Sequence, residues 1–218
     1  MDNKEKVNTI EIEKILISKL DLCNILNEEE LLMFFKRFYL FMQHDKQDAE
    51  INRKPETISK YLDNYLEFCS LLNLNKKEKV EVIMKFPGII KMCDQEFKEK
   101  YALLSIAENS ANTVRIEKFK NSPEDFRCNI KTIYSRYLLM KELHYDRPIT
   151  WSNLVHASST EFAKIFVKSK HDKQYKIFDE VEDLTKEKLW AMYPLNQDFI
   201  DELYEQEFGT RKEENYGK

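Results

Sequence analysis

Residues 73–92 read NLNKKEKVEVIMKFPGIIKM. Asn75 followed three residues later by Glu78 has the spacing of a capping box, in which each side chain satisfies a free backbone N–H of the other. One apolar helix face follows, although "VEVIM" at Val80–Met84 also alternates as a strand would. Phe86-Pro87-Gly88 then interrupts the pattern before more apolar residues. Proline lacks the N–H that a helix interior needs, so Pro87 belongs between helices. The stretch therefore predicts a capped helix, a stop and a second start.

The same punctuation recurs outward from there. Asn27 with Glu30 and Ser158 with Glu161 repeat the capping-box spacing, and Ser122-Pro123 looks like an N-cap followed by proline at the first helical position. Ile58, Tyr61, Leu62, Tyr65, Leu66, Cys69 and Leu72 recur at i, i+3, i+4 and i+7. Phe126, Ile130, Ile133, Tyr134, Tyr137 and Met140 do the same, and Ile12, Ile15, Leu16, Leu20 and Cys23 follow more loosely. Pro55, Pro148 and Pro194 fall between periodic segments. Only three glycines and five prolines in 218 residues leave few turn residues for a β-rich fold. The expectation is an all-α protein of about ten helices without a sheet. One helical domain is expected over 1–208, with 110–122 as the place where it would divide, and a frayed charged tail over 209–218. Polar residues 44–55 read as a connector.

Superimposing Leu74 on Leu26 aligns Asn75 with Asn27, Glu78 with Glu30 and Phe86 with Phe38. Looser copies start at Tyr145 and Leu184. Residues 71–104, LLNLNKKEKVEVIMKFPGIIKMCDQEFKEKYALL, resemble one repeat of the mitochondrial transcription termination factor family. That resemblance implies stacked helical units in a short helical-repeat solenoid, in a family that mostly binds nucleic acid. It also implies that Pro87 ends a helix and that Leu74, Ile83, Phe86 and Ile90 face the core. The first copy departs from the pattern, with Tyr39 where a proline is expected.

Charge is the other strong signal. Residues 1–111 carry a net −3, residues 112–176 a net +6, and residues 177–218 a net −7. In the basic section, Lys131, Ser135 and Arg136 are expected on the solvent side of a helix beginning near Pro123. Arg147, Lys164, Lys168, Lys170, Lys173 and Lys176 follow, among His171 and Tyr175. Such residues can neutralise phosphates while aromatic rings stack on bases. Lys131, Arg136, Arg147, Lys164, Lys168, Lys170, Lys173 and Lys176 are therefore the candidate nucleic-acid contacts. A pI near 5.7 confines any such surface to part of the chain. The alternative is a solvated face, with the protein acting as an adaptor or inhibitor that docks a basic target through Asp179, Glu180, Glu182 and Asp183.

No enzyme signature is present: no glycine-rich phosphate loop, HExxH, GxSxG or paired CxxC. His156 lies near Ser158 and Ser159, but neighbours in sequence are not thereby arranged for catalysis, and a polar loop is expected there. Asp179, Glu182 and Asp183 lack calcium-loop spacing. The protein is thus expected to have no catalytic residues, no metal site and no cofactor. Cys23, Cys69, Cys93 and Cys128 are widely spaced and read as buried reduced thiols. Trp151 and Trp190 read as core residues that become interface anchors if exposed. No run approaches the roughly 20 apolar residues of a membrane span, and the first residues mix charges, so a cytoplasmic location is expected.

Overall fold

The computed structural model describes residues 3–44, 54–108, 112–144, 149, 151–158, 161–162 and 185–209. The fold is all-α, with no strand among these residues. Twelve α-helices and one 3-10 helix are described, in keeping with the expectation of about ten. The chain forms two compact units. The first is Met1–Gln95 with Ile116–Glu124, and the second is Glu96–Arg115 with Asp125–Lys218. Division is therefore not a single cut: the chain passes between units at 95/96, 115/116 and 124/125, and the second of these falls within 110–122.

The first unit contains α1 (Asn3–Leu20), α2 (Leu22–Ile25), α3 (Glu28–His44), α4 (Pro55–Leu71), α5 (Lys76–Lys85) and α6 (Ile89–Met92). Helix α4 packs on α1 and α6, and α5 touches α1, α2, α3 and α6. The buried face of α4 is Ile58, Leu62, Tyr65, Phe68 and Cys69, close to the periodic set, while Tyr61 and Leu66 are half-buried. Phe68 meets the ring of Phe119 edge-on, 5.3 Å between centroids. The buried Tyr65 hydroxyl donates to the Lys79 carbonyl at 2.6 Å, which ties α4 to α5 and gives a buried polar atom its partner.

The segment Leu71–Asn75 is resolved by two local rules. Asn73 takes φ 56°, a left-handed conformation that asparagine tolerates. Leu74 N–H then reaches the Cys69 carbonyl at 2.9 Å and Asn73 N–H reaches Ser70 at 3.1 Å, closing α4 with a Schellman motif. Leu74 is buried, and Asn75 caps α5 with Glu78 in the expected reciprocal box. "VEVIM" is helix, not strand.

The Phe-Pro-Gly step differs from expectation in one respect. Phe86 ends α5 at φ −143°, ψ 87°, the extended region that a following proline favours. Its ring is half-buried rather than in the core, lying edge-on to Phe41 at 6.1 Å; Leu74, Ile83 and Ile90 are buried. A Cβ on Gly88 would sit 2.7 Å from the Phe86 ring and 2.8 Å from Phe41, so a larger residue there would have to push these rings aside. The Asn27–Glu30 box also forms, with both bonds near 3.0 Å. There the helix runs on through buried Phe38 for 17 residues, against 10 in α5.

The second unit contains α7 (Gln95–Glu108, apart from its first residue), the 3-10 helix Pro123–Arg127 from Asp125 onward, α9 (Ile130–Glu142), α10 (Trp151–Val155), α11 (Lys186–Met192) and α12 (Gln197–Phe208). The boundary at 115/116 falls inside α8 (Asn112–Asn121). Phe126 packs on Phe97 and stacks on Tyr101, at 5.2 and 6.0 Å. Arg115 joins Glu207 at 2.6 Å over the Tyr101 ring. Helix α9 packs on α10 and α11. Among the described residues, no helix is long and apolar enough to cross a membrane.

Candidate anion-binding cavity

The helix expected to run from Pro123 is broken, and the break creates the site. Pro123 starts a single 3-10 stretch that stops at Arg127. Asn129 then caps a new helix, its side-chain oxygen accepting from Lys131 N–H at 2.8 Å. A capping side chain competes with the backbone for its own donors, so the helix restarts here instead of continuing. The first turn of α9 therefore opens into a cavity of about 220 Å³ lined by Cys128, Asn129, Thr132, Arg136, Val155, His156, Ala157, Ser158 and Lys186.

Arg136 is the centre of this site and corrects the sequence reading. It is only 3% exposed, and Ser135 is fully buried. Helix α9 buries Ile130, Thr132, Ile133, Tyr134, Ser135, Arg136, Leu139 and Met140, which is far more than one apolar stripe. The Arg136 guanidinium donates to the carbonyls of Asn153 at 3.2 Å and Leu154 at 2.8 Å, and also to that of Ala157. It lies 4.7 Å from the centroid of the Phe162 ring. The fork thus closes the C-terminal end of α10, where carbonyls lack helical partners and attract a cation. Burial pushes the guanidinium down to about 10, so it remains protonated at neutral pH.

The surrounding charges are already committed. Asp125 meets His156 Nε2 at 2.8 Å. Ser158 and Glu161 form the expected capping box, with the Glu161 carboxylate on Ser158 N–H at 2.8 Å. Buried Lys100 donates to the Cys128 carbonyl at 3.0 Å and sits 3.5 Å from Glu96. Lys186 is exposed, with its ammonium 5.3 Å from the Trp190 ring centroid. In this region, Thr132 Oγ1 and Trp190 Nε1 are buried without a partner among the described residues.

Cys128, His156 and Asp125 could suggest a thiol nucleophile with a base. Burial pushes the Cys128 thiol up to about 11 despite the nearby Lys100 ammonium, so it is a thiol, not a thiolate, at neutral pH. The arrangement can hold an anion more readily than it can attack a carbonyl. Among the described residues no group of three His, Cys, Asp or Glu is placed to hold a metal ion.

Of the other candidate contacts, Lys131 is exposed in the first turn of α9. Arg147, Lys164, Lys168, Lys170, Lys173 and Lys176 lie outside the described residues, as do Asp179, Glu180, Glu182, Asp183 and the tail beyond Gly209. Asn129, Thr132, Ser158 and Lys186 were not anticipated as a group. The two N-caps were readable as caps, but their meeting around Arg136 was not. Cys69 and Cys93 are buried, Cys128 is half-buried, and Cys23 is exposed, contrary to the reading of four buried thiols. No protein-family model, curated protein or solved structure matches the chain.

Proposed function

We propose that this chain is a non-enzymatic binding protein that takes a nucleic acid through its basic 112–176 section. The observation that carries this is the composition of the cavity. Its nine lining residues include two full cations, Arg136 and Lys186, and the imidazole of His156, but no carboxylate. The exposed Lys131 stands on the same first turn of α9. The section that supplies most of these residues has a net charge of +6 between two negative ones. Such a distribution attracts phosphate and concentrates it at one place. Arg136 is not a surface contact in this reading: it is buried, and three of its five N–H groups go to carbonyls.

The test is binding of labelled duplex and single-stranded oligonucleotides across a salt series. Log affinity should fall linearly with log salt. Replacing Lys168, Lys170 and Lys173 together by Gln should flatten that slope by roughly 0.9 per lost duplex phosphate contact. Absence of oligonucleotide binding at moderate salt would overturn the proposal.

A second reading rests on α3, where Leu32, Met33 and Leu40 are 71, 44 and 46% exposed beside Glu28, Glu29 and Glu30. An adaptor or inhibitor could dock through such a face. A protein partner that survives nuclease treatment, lost on Leu32→Glu with Leu40→Glu, would favour it.

A further inference from the structure

We propose that the cavity at the start of α9 seats one phosphomonoester group, presented by the end of a nucleic-acid strand. The strand as its source rests on the function proposed above; the phosphate seat itself stands on the geometry alone.

Three observations converge. First, Arg136 is a buried cation whose hydrogen bonds go only to neutral carbonyls, and no carboxylate pairs with it among the described residues. Buried charges are ordinarily paired, and a cation left without a counter-charge is where an anion gains most. Three bonds also use only three of the five N–H groups that arginine carries. Second, Thr132, 4% exposed and lining the cavity, keeps a hydroxyl without a partner. Buried hydroxyls are normally satisfied, so this one calls for an acceptor that comes and goes. Third, neither carboxylate bonded to a lining residue itself lines the cavity: Asp125 meets His156, and Glu161 accepts from the Ser158 N–H. Neither one fills the cavity.

Size and access decide which anion fits. A volume of about 220 Å³ lies below the roughly 300–1,000 Å³ of sites that enclose a whole drug-sized ligand. It suits a tetrahedral oxyanion and part of what the oxyanion is attached to. Of the lining residues, His156, with its side chain 48% exposed, and Lys186 face solvent, whereas Arg136 and Thr132 are buried. A group entering such a pocket goes in end-first. That favours a terminal phosphate over a diester, which continues in both directions. The dianion also gains most from charge-assisted donors, with Lys186 as a mobile one once it leaves Trp190.

The experiment compares, by calorimetry on the full chain, inorganic phosphate, a nucleoside 5′-monophosphate, and one single-stranded 12-mer in three forms. The forms carry a 5′-phosphate, a 3′-phosphate or neither. The expected result is that a terminal phosphate tightens binding by roughly 10-fold or more, the worth of one good charge-assisted hydrogen bond. Lys186→Gln and Thr132→Val should each shrink that increment by more than they weaken the unphosphorylated strand, with the melting temperature nearly unchanged. These two variants are preferred because Arg136→Gln also removes the bonds that close α10. Equal binding of all three strands would overturn the phosphate seat and leave the nucleic-acid reading standing. Binding of inorganic phosphate and the monophosphate, lost in Lys186→Gln, with no strand bound, would uphold the seat and overturn the strand as its source. Thr132→Val that raises stability without touching any affinity would overturn the assignment of Thr132 to the seat.

Discussion

Replacing Arg136 with leucine separates a buried staple from a surface cation. The guanidinium makes three bonds to the carbonyls of Asn153, Leu154 and Ala157 and stacks on Phe162. At about 1.5 kcal/mol for each hydrogen bond to a charged group, the three contribute about 4.5 kcal/mol. The ring contact adds about 1 kcal/mol. Leucine also removes a desolvated charge, which returns on the order of 1–3 kcal/mol. The expected net loss is therefore about 2.5–4.5 kcal/mol. Arg136→Lys should lose a large part of it too, since one ammonium cannot span three carbonyls as a planar fork does. Trp151 and Trp190 are the two tryptophans of the chain and both belong to the second unit. Urea unfolding followed by tryptophan fluorescence thus reports the unit in question. A loss below about 0.5 kcal/mol at unchanged m would place Arg136 among ordinary surface residues and refute the reasoning.

Phe68→Ala, which removes a fully buried ring, should cost about 3–5 kcal/mol, whereas Phe86→Ala should cost about 1–2 because its ring is half-buried; urea melts by circular dichroism that give equal losses would contradict this. The Lys120 ammonium and the Asn75 N–H hold the Glu78 carboxyl below its ordinary value of 4.5, so its stabilisation is present above that pH and disappears as pH falls through the lowered value. Glu78→Gln should accordingly be less stable than the parent at pH 6, with the gap closing towards pH 3, in thermal melts over that range. Iodoacetamide should label exposed Cys23 first and Cys128 slowly, its thiol being raised to about 11, with Cys69, raised to about 12, reacting only on unfolding; mass mapping that finds Cys69 labelled early would count against the packing of α4.

Legibility in the sequence followed the range of the interactions. The boxes at Asn27, Asn75 and Ser158 were readable because each is closed within four residues. So was the stop at Pro87, where the proline and its predecessor are both conformationally restricted. Three things were not readable. The break at Asn129 hides inside an apolar pattern that runs unbroken from Phe126 to Met140, because the pattern records one face and the cap acts on the backbone. Arg136 was placed in solvent by that same pattern, and only the folding of residues 153–157 against α9 shows that it is enclosed. Lys186 lies in a section with net charge −7, so block charges concealed a cation that the fold brings to a basic cavity.

A proton–nitrogen correlation spectrum of the full chain, titrated with a 5′-phosphorylated single-stranded oligonucleotide, maps the contact residue by residue. Shifts should concentrate on Asn129 to Thr132, on His156 to Ser158 and on Lys186, and should weaken as salt is added. Shifts confined to α3, or no shifts at moderate salt, would contradict a phosphate-binding second unit.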